Sequence, residues 1–238
     1  MKRTHFVLAI VFLVLIIDQA LKIWIKTTFE YGEEVKILGL EWARLHFVEN
    51  EGMAFGFTFG GSYGKLALSL FRIVVVTFLG IYLFQLIRSK LSYSFLACVS
   101  LILAGALGNI IDSTFYGIIF SETPYHGGIS QFMPEGGGYA PVFYGKVVDM
   151  FYFPIMQGTF PDWMPIWGGE QFSFFRPVFN VADAAITTGI LSVILFHRDF
   201  FSQGHTEAVP DANTTLNTSR PTPDAEQVVD DAEGGKEV

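Results

Sequence analysis

The sequence predicts a membrane α-helical protein with four transmembrane helices, a small extracytoplasmic β-rich segment and an irregular outward cap. Three observations carry that prediction. Four stretches are apolar over lengths that a soluble core does not need, and short basic segments recur at their ends. The longer connections are rich in Gly, Pro and aromatic residues.

The first span, approximately residues 6–25, opens on Phe6–Ile17, an unbroken apolar run, and continues through Ala20, Leu21, Ile23 and Trp24 despite Asp18 and Lys22. A cleaved signal peptide also starts with basic residues and such a run, and Lys2 and Arg3 precede this one. No small-x-small cleavage site follows, and Asp18 and Lys22 stand where one would fall, so the run reads as a retained helix. The second span, 66–87, carries one charge, Arg72. The third, 91–111, carries none, and the fourth, 177–197, has Asp183 as its acidic residue and Pro177 in its expected first turn. Only a helix or a closed barrel satisfies its backbone in hydrocarbon, and the alternation of barrel strands is absent.

Orientation follows from the short basic segments. Lys2 and Arg3, Arg88 and Lys90, and Arg198 fall on one side of a four-span chain, which makes that side cytoplasmic and places both termini there. Segments 26–65 and 112–176 then face outward. Patches of period-two alternation in Val35–Val48 around Gly39 suggest a small strand pair. Residues 113–176 suit an irregular cap at the membrane interface.

Charge separates the chain into two parts. Of the formal net charge of −8, residues 199–238 contribute two basic against nine acidic groups, a net of −7, and the body is nearly neutral. Residues 1–201 therefore read as a single four-span domain and 202–238 as a solvated acidic extension. This distribution excludes a nucleic-acid binder relying on overall basicity. One cysteine, Cys98, excludes a disulfide scaffold and a Cys-based zinc site.

Ionisable groups within spans are costly and ask for a reason. Asp18 and Lys22 lie one turn apart on one helix face, which alone reads as an intrahelical ion pair. Asn109 and Asp112 share a face at the end of the third span, where Gly105 and Gly108 permit a neighbouring helix to approach closely. Asn180 and Asp183 repeat the amide–carboxylate spacing at the start of the fourth. Three spans thus carry carboxylates at similar depth, which suggests one polar pocket. Asp149 interrupts the apolar run 147–151 in the outward loop, where an aspartate is more often a turn former. No nucleophile elbow, metalloprotease helix or phosphate-binding loop is present, and the five histidines are scattered, so acid chemistry by paired aspartates remains.

Five separated signatures together resemble the lipoprotein signal peptidase (signal peptidase II) family, over roughly residues 8–198. They are Asp18-Gln19-x-x-Lys22, Asn50-x-Gly52-x-Ala54-Phe55-Gly56, Gly105-x-x-Gly108-Asn109-x-x-Asp112, Val147-Val148-Asp149 and Phe179-Asn180-x-Ala182-Asp183. The resemblance implies an aspartic endopeptidase of the bacterial inner membrane that needs no metal and no cofactor. It would cleave diacylglyceryl-modified prolipoproteins before the lipidated cysteine, with Asp149 and Asp183 as its catalytic dyad. Asn50, Gly52, Asn109, Asp112 and Asn180 match supporting or substrate-binding positions, as do Asp18 and Lys22. The implied partners are the lipidated substrates and membrane lipid, with no nucleic acid, and a monomer is expected.

Two departures from the family pattern stand out. Ser113 occupies a position where the family has arginine, leaving the charge of nearby carboxylates without that partner, and Arg72 is a candidate substitute. Thirty-six residues separate Asp112 from Asp149, far more than the family has. Residues 114–145 read as an inserted cap that shapes access, by analogy with lid loops. Two readings from other classes compete. Membrane carboxylates also relay protons in transporters and channels, although no inverted repeat is visible here. A non-catalytic scaffold could use the aromatic cap to bind partners.

Overall fold

Three residues spaced four apart on the first helix set the arrangement of the rest. The computed structural model describes residues 2–51, 61–154, 156–174 and 177–198. Helix α1 (Arg3–Lys26) buries Asp18, Lys22 and Lys26 along one face. It turns Leu8, Phe12, Leu13 and Ile16 outward. Polar inside and apolar outside is the reverse of a soluble helix and suits hydrocarbon.

Helix α2 (Gly61–Arg88) leads through a tight turn to α3 (Tyr93–Ile111). The Ser92 hydroxyl caps α3 by accepting the Phe95 N–H at 3.2 Å. Val7 and Val11 of α1, Leu83 and Leu86 of α2, and Leu96 and Val99 of α3 form one apolar cluster. The third helix does not end at Ile111. A π-helical turn, Asp112–Tyr116, and a further turn, Gly117–Ile119, prolong it into the region expected to be irregular.

Helix α4 (Val181–Phe196) starts later than expected. Pro177 is not in its first turn, because Val178–Phe179 is taken up as a strand and Asn180 adopts an extended conformation as the N-cap. Arg3–Lys26, Tyr63–Arg88 and Tyr93–Ile119 are long and apolar enough to cross a membrane, and α4 is a shorter apolar helix. Gly105 makes the α3–α4 approach possible: a Cβ there would lie 2.2 Å from the Ala182 carbonyl oxygen. At Gly108 a Cβ would meet Asp18 of α1 and Ala182 of α4, so three helices converge on that turn.

The expected strand pair is present as β1 (Glu34–Lys36) and β2 (Arg44–Asn50), antiparallel with Glu34 opposite His46. Between them Leu38 and Gly39 both take positive φ. Regular structure also occupies parts of the cap expected to be irregular over 113–176. Val147–Tyr152 forms β3, which lies inside a four-stranded antiparallel sheet between β2 and β6 (Val178–Phe179). Its burial at four successive residues explains why the apolar run lacks alternation. Met156–Thr159 and Gln171–Phe174 form a separate hairpin, β4–β5. A second apolar cluster joins Ile25 of α1, Phe47 of β2, Val148 and Met150 of β3, Tyr116 of the extended third helix and Phe120 just past its end.

Candidate active site

Strand pairing brings the two principal aspartates together. Phe151 of β3 pairs with Phe179 of β6, and the residue after Phe179 caps α4. Asp149 therefore sits two residues from a strand pair whose other side leads directly into the first turn bearing Asp183. Asn180 spans the two. Its side-chain oxygen accepts the Asp183 N–H at 2.9 Å, and the Asp183 carboxylate accepts the Asn180 N–H, completing a capping box. Its side-chain nitrogen donates to Asp149 Oδ1 at 2.7 Å.

Asn50, at the end of β2, donates its amide to Asp149 Oδ2. The register places Asn50 opposite Val147, so Asn50 and Asp149 lie on the same face of the sheet. Asn109 of α3 donates to Asp183 Oδ1 at 2.8 Å. Each aspartate thus accepts hydrogen bonds from two asparagines, and Asn180 serves both.

A cationic centre lies behind this pair. The Lys22 ammonium reaches Asp18 at 2.9 Å, Asp112 at 2.8 Å and Asn109 Oδ1 at 2.9 Å, engaging its three donors. The intrahelical Asp18–Lys22 pair expected from spacing is therefore one arm of a three-helix junction. Because Lys22 approaches Asn109 through the oxygen, the amide nitrogen of Asn109 is the end facing Asp183. Asp18 in turn accepts the Ala182 N–H at 2.9 Å, a negative group at the N-terminus of α4.

Gln19 ties the same cluster by donating to Asp112 at 2.9 Å and Asp18 at 3.1 Å. Its place beside Asp18 gives no indication that it bridges two helices. Asp112 is thus partnered without an arginine at the next position. Ser113 bonds back to the Asn109 carbonyl at 2.9 Å. Arg72 on α2 is coupled electrostatically to Asp183 first, then to Asp112 and Asp149. Gly52, Ala54, Phe55 and Gly56 lie outside the described residues.

The environment of Asp149 disfavours its charge. Burial, followed by the nearby Asp183, pushes its carboxyl up to about 8, against the opposing effects of Lys22 and of the hydrogen bonds from Asn180 and Asn50. Two carboxyl groups held close, one resisting ionisation, can share a proton.

These features define a helical membrane protein with an aspartate pair where a sheet meets helix ends. The family model described as Signal peptidase (SPase) II matches residues 10–198. The chain belongs to the signal peptidase II family, the aspartic-type endopeptidases. It is 51% identical over 190 residues to "Lipoprotein signal peptidase" of Porphyromonas gingivalis, covering 79% of this chain and 81% of that one. A relative of the same name from Amoebophilus asiaticus is 38% identical over 197 residues, covering 82% and 78%. A solved structure titled "Bacterial membrane enzyme structure by the in meso method at 2.3 A resolution" shares the fold, with a TM-score of 0.52 and 22% identity. The match covers 86% of this chain and 94% of that one.

Proposed function

We propose that this peptidase removes signal peptides from diacylglyceryl-modified prolipoproteins, cleaving before the lipidated cysteine with Asp149 and Asp183 as its dyad. The observation that carries the reading is Asn180, which caps the helix of one aspartate while hydrogen-bonding the other. The family names of the relatives support the substrate class.

In this reading the proton shared by the pair rests on Asp149, where burial favours it. The ionised partner, Asp183, takes a proton from water as its oxygen attacks the scissile carbonyl carbon. Asp149 hydrogen-bonds to the developing oxyanion. The tetrahedral intermediate collapses as Asp183 passes the proton it took from water to the amide nitrogen, breaking the C–N bond, releasing the lipidated cysteine as a new N-terminus and restoring the pair with its one shared proton. Asn109 and Asn180 hold the carboxyl groups oriented throughout, and Lys22 fixes Asn109. No covalent intermediate is needed.

The site would lie near the periplasmic face, with both termini cytoplasmic. Residues 1–201 would form one domain, residues 202–238 a dispensable extension, and the active form would be a monomer in lipid. The test incubates purified protein with a diacylglyceryl-modified prolipoprotein, comparing wild type with Asp149→Asn and Asp183→Asn. The expected result is cleavage by wild type and almost none by either variant. Equal cleavage by all three would refute the dyad, and none by any would refute the substrate assignment.

A further inference from the structure

Lys26 lies one turn beyond Lys22 on the same face of α1 and is fully buried. It forms an ion pair with Glu49 of β2, whose side chain is 4% exposed. It also donates to the Thr123 hydroxyl at 2.9 Å and stands 5.4 Å from the Phe120 ring centre and 5.3 Å from that of Tyr139. Thr123, Phe120 and Tyr139 all belong to the stretch 114–145 that separates this chain from its family's pattern.

That stretch is fastened down at several points. Tyr139 N–H donates to the Phe120 carbonyl at 3.0 Å, Ala140 N–H to Gly117 at 2.9 Å and Gly145 N–H to Ser113 at 2.8 Å. It folds back along the end of the third helix and closes over the ammonium group. An exposed Lys–Glu pair contributes little to order, because water screens it and its side chains remain free. Shielded from water, the same pair resists separation, since breaking it leaves charges buried without partners.

Glu49 immediately precedes Asn50, and successive strand residues point to opposite faces. On the face of Glu49, Phe47 packs with Phe120 and Tyr116. On the other, Asn50 donates to Asp149. A clamp on Glu49 therefore sets the height and register at which Asn50 meets the carboxyl.

We propose that Lys26, Glu49 and Thr123 are positioning residues for the site: the inserted segment dehydrates the Lys26–Glu49 pair, and the pair holds β2 so that Asn50 reaches Asp149. The inference rests on the reading of Asp149 as part of the dyad. It assigns the insertion a task on the far side of the sheet from the chemistry, besides any effect on substrate access.

Charged groups on both sides frame the test. Asp183, Lys22 and Arg72 act on Asp149. Lys146 and Asp112 stand around Lys26, with Tyr31 and Tyr139 near Glu49. Thr123→Val changes no charge, so any movement it causes in Asp149 passes through geometry. Loss of the Asn50 hydrogen bond, which favours the ionised carboxyl, would move the titration of Asp149 upward.

The experiment uses the full chain purified in detergent and two readouts. One is the infrared carbonyl band of a protonated carboxyl that disappears in Asp149→Asn, followed against pH. The other is kcat and KM on a diacylglyceryl-modified peptide. Thr123→Val should raise the midpoint of that band by roughly half a pH unit. Turnover should fall about threefold for Thr123→Val and about tenfold for Lys26→Met, with KM within about twofold and wild-type behaviour restored in Thr123→Ser. Unchanged midpoint and turnover in Thr123→Val, even with a lower melting temperature, would overturn the proposal. If Lys26→Met does not fold, Thr123→Val alone decides. A wild type that fails to cleave refutes the peptidase reading, while the infrared titration still tests the coupling.

Discussion

The Asn180 side-chain nitrogen lies 2.7 Å from Asp149 Oδ1, although Asn180 is the N-cap of the helix that carries Asp183. One amide therefore fixes both the direction of a helix and the orientation of a strand carboxyl. Asn180→Asp retains an acceptor for the cap but replaces the donor with a third carboxylate. We expect cleavage to fall about a hundredfold and the melting temperature to fall with it, because a buried oxygen then faces Asp149, the Val148 carbonyl and Asn109 with no proton to donate. A variant retaining wild-type cleavage would exclude that role.

The raised Asp149 carboxyl gives a signed pH dependence. Its ordinary value is 3.8, and in the folded protein it lies at about 8. A carboxyl raised by folding contributes stability that is complete below 3.8 and lost as pH rises through about 8. Relative to Asp149→Asn, the wild type should lose melting temperature between about pH 4 and about pH 8. Cleavage should decline over the alkaline part of that range as the shared proton is lost. A wild type and variant with parallel melting curves across the range would contradict the assignment.

Lys22 is the sole cation within salt-bridge distance of Asp18 or Asp112 among the described residues. Replacing it with Met leaves both buried carboxylates without that charge and frees the Asn109 amide to rotate. Destabilisation of about 3–5 kcal/mol is expected from the broken buried pairs. Asp18→Asn together with Asp112→Asn should recover part of that loss in Lys22→Met. Thermal unfolding in detergent measures both effects, and absence of any recovery would place the role of Lys22 elsewhere.

Gly105 should tolerate no side chain. A Cβ there would press on the Ala182 backbone at 2.2 Å, and Asn109 lies one turn further along α3 from that contact. Gly105→Ala is expected to cost about 1–3 kcal/mol by overpacking and to weaken cleavage by separating Asn109 from Asp183. Gly80→Ala, where nothing lies within 4 Å, is the control and should behave as wild type.

Arg72 is electrostatically linked to Asp183 most strongly, then to Asp112 and Asp149. Arg72→Gln should reduce cleavage about tenfold while the Lys22 junction keeps the helices together. Full activity would mean that Arg72 does not take over from the arginine absent at Ser113.

The long apolar runs and the polar residues within them were legible because each is a local property of the chain. The Asn180–Asp183 spacing also showed, since a capping box is a short-range pattern. The start of α4 did not, because Pro177 suits a first turn and nothing nearby reveals that β3 claims Val178 and Phe179. Lys22 showed one partner, four residues away, while Asp112 and Asn109 came from ninety and eighty-seven residues off. Lys26 and Glu49 were invisible as a pair for the same reason: the cover that makes them important comes from residues 120–139. Asp149 gained its place from strand register, which no spacing within a loop discloses.

The shortness of α4 has a consequence for the surrounding lipid. Sixteen residues rise about 24 Å, whereas the hydrocarbon layer is about 30 Å thick. Along its flank the bilayer must pinch inward or the headgroups must dip toward the first turn. The three longer neighbours exert no such pull, so the depression is one-sided. Under the proposed reading, an acyl chain arriving along that flank would meet the carboxyl groups without leaving the oily layer, and water would have a shorter descent to the same point.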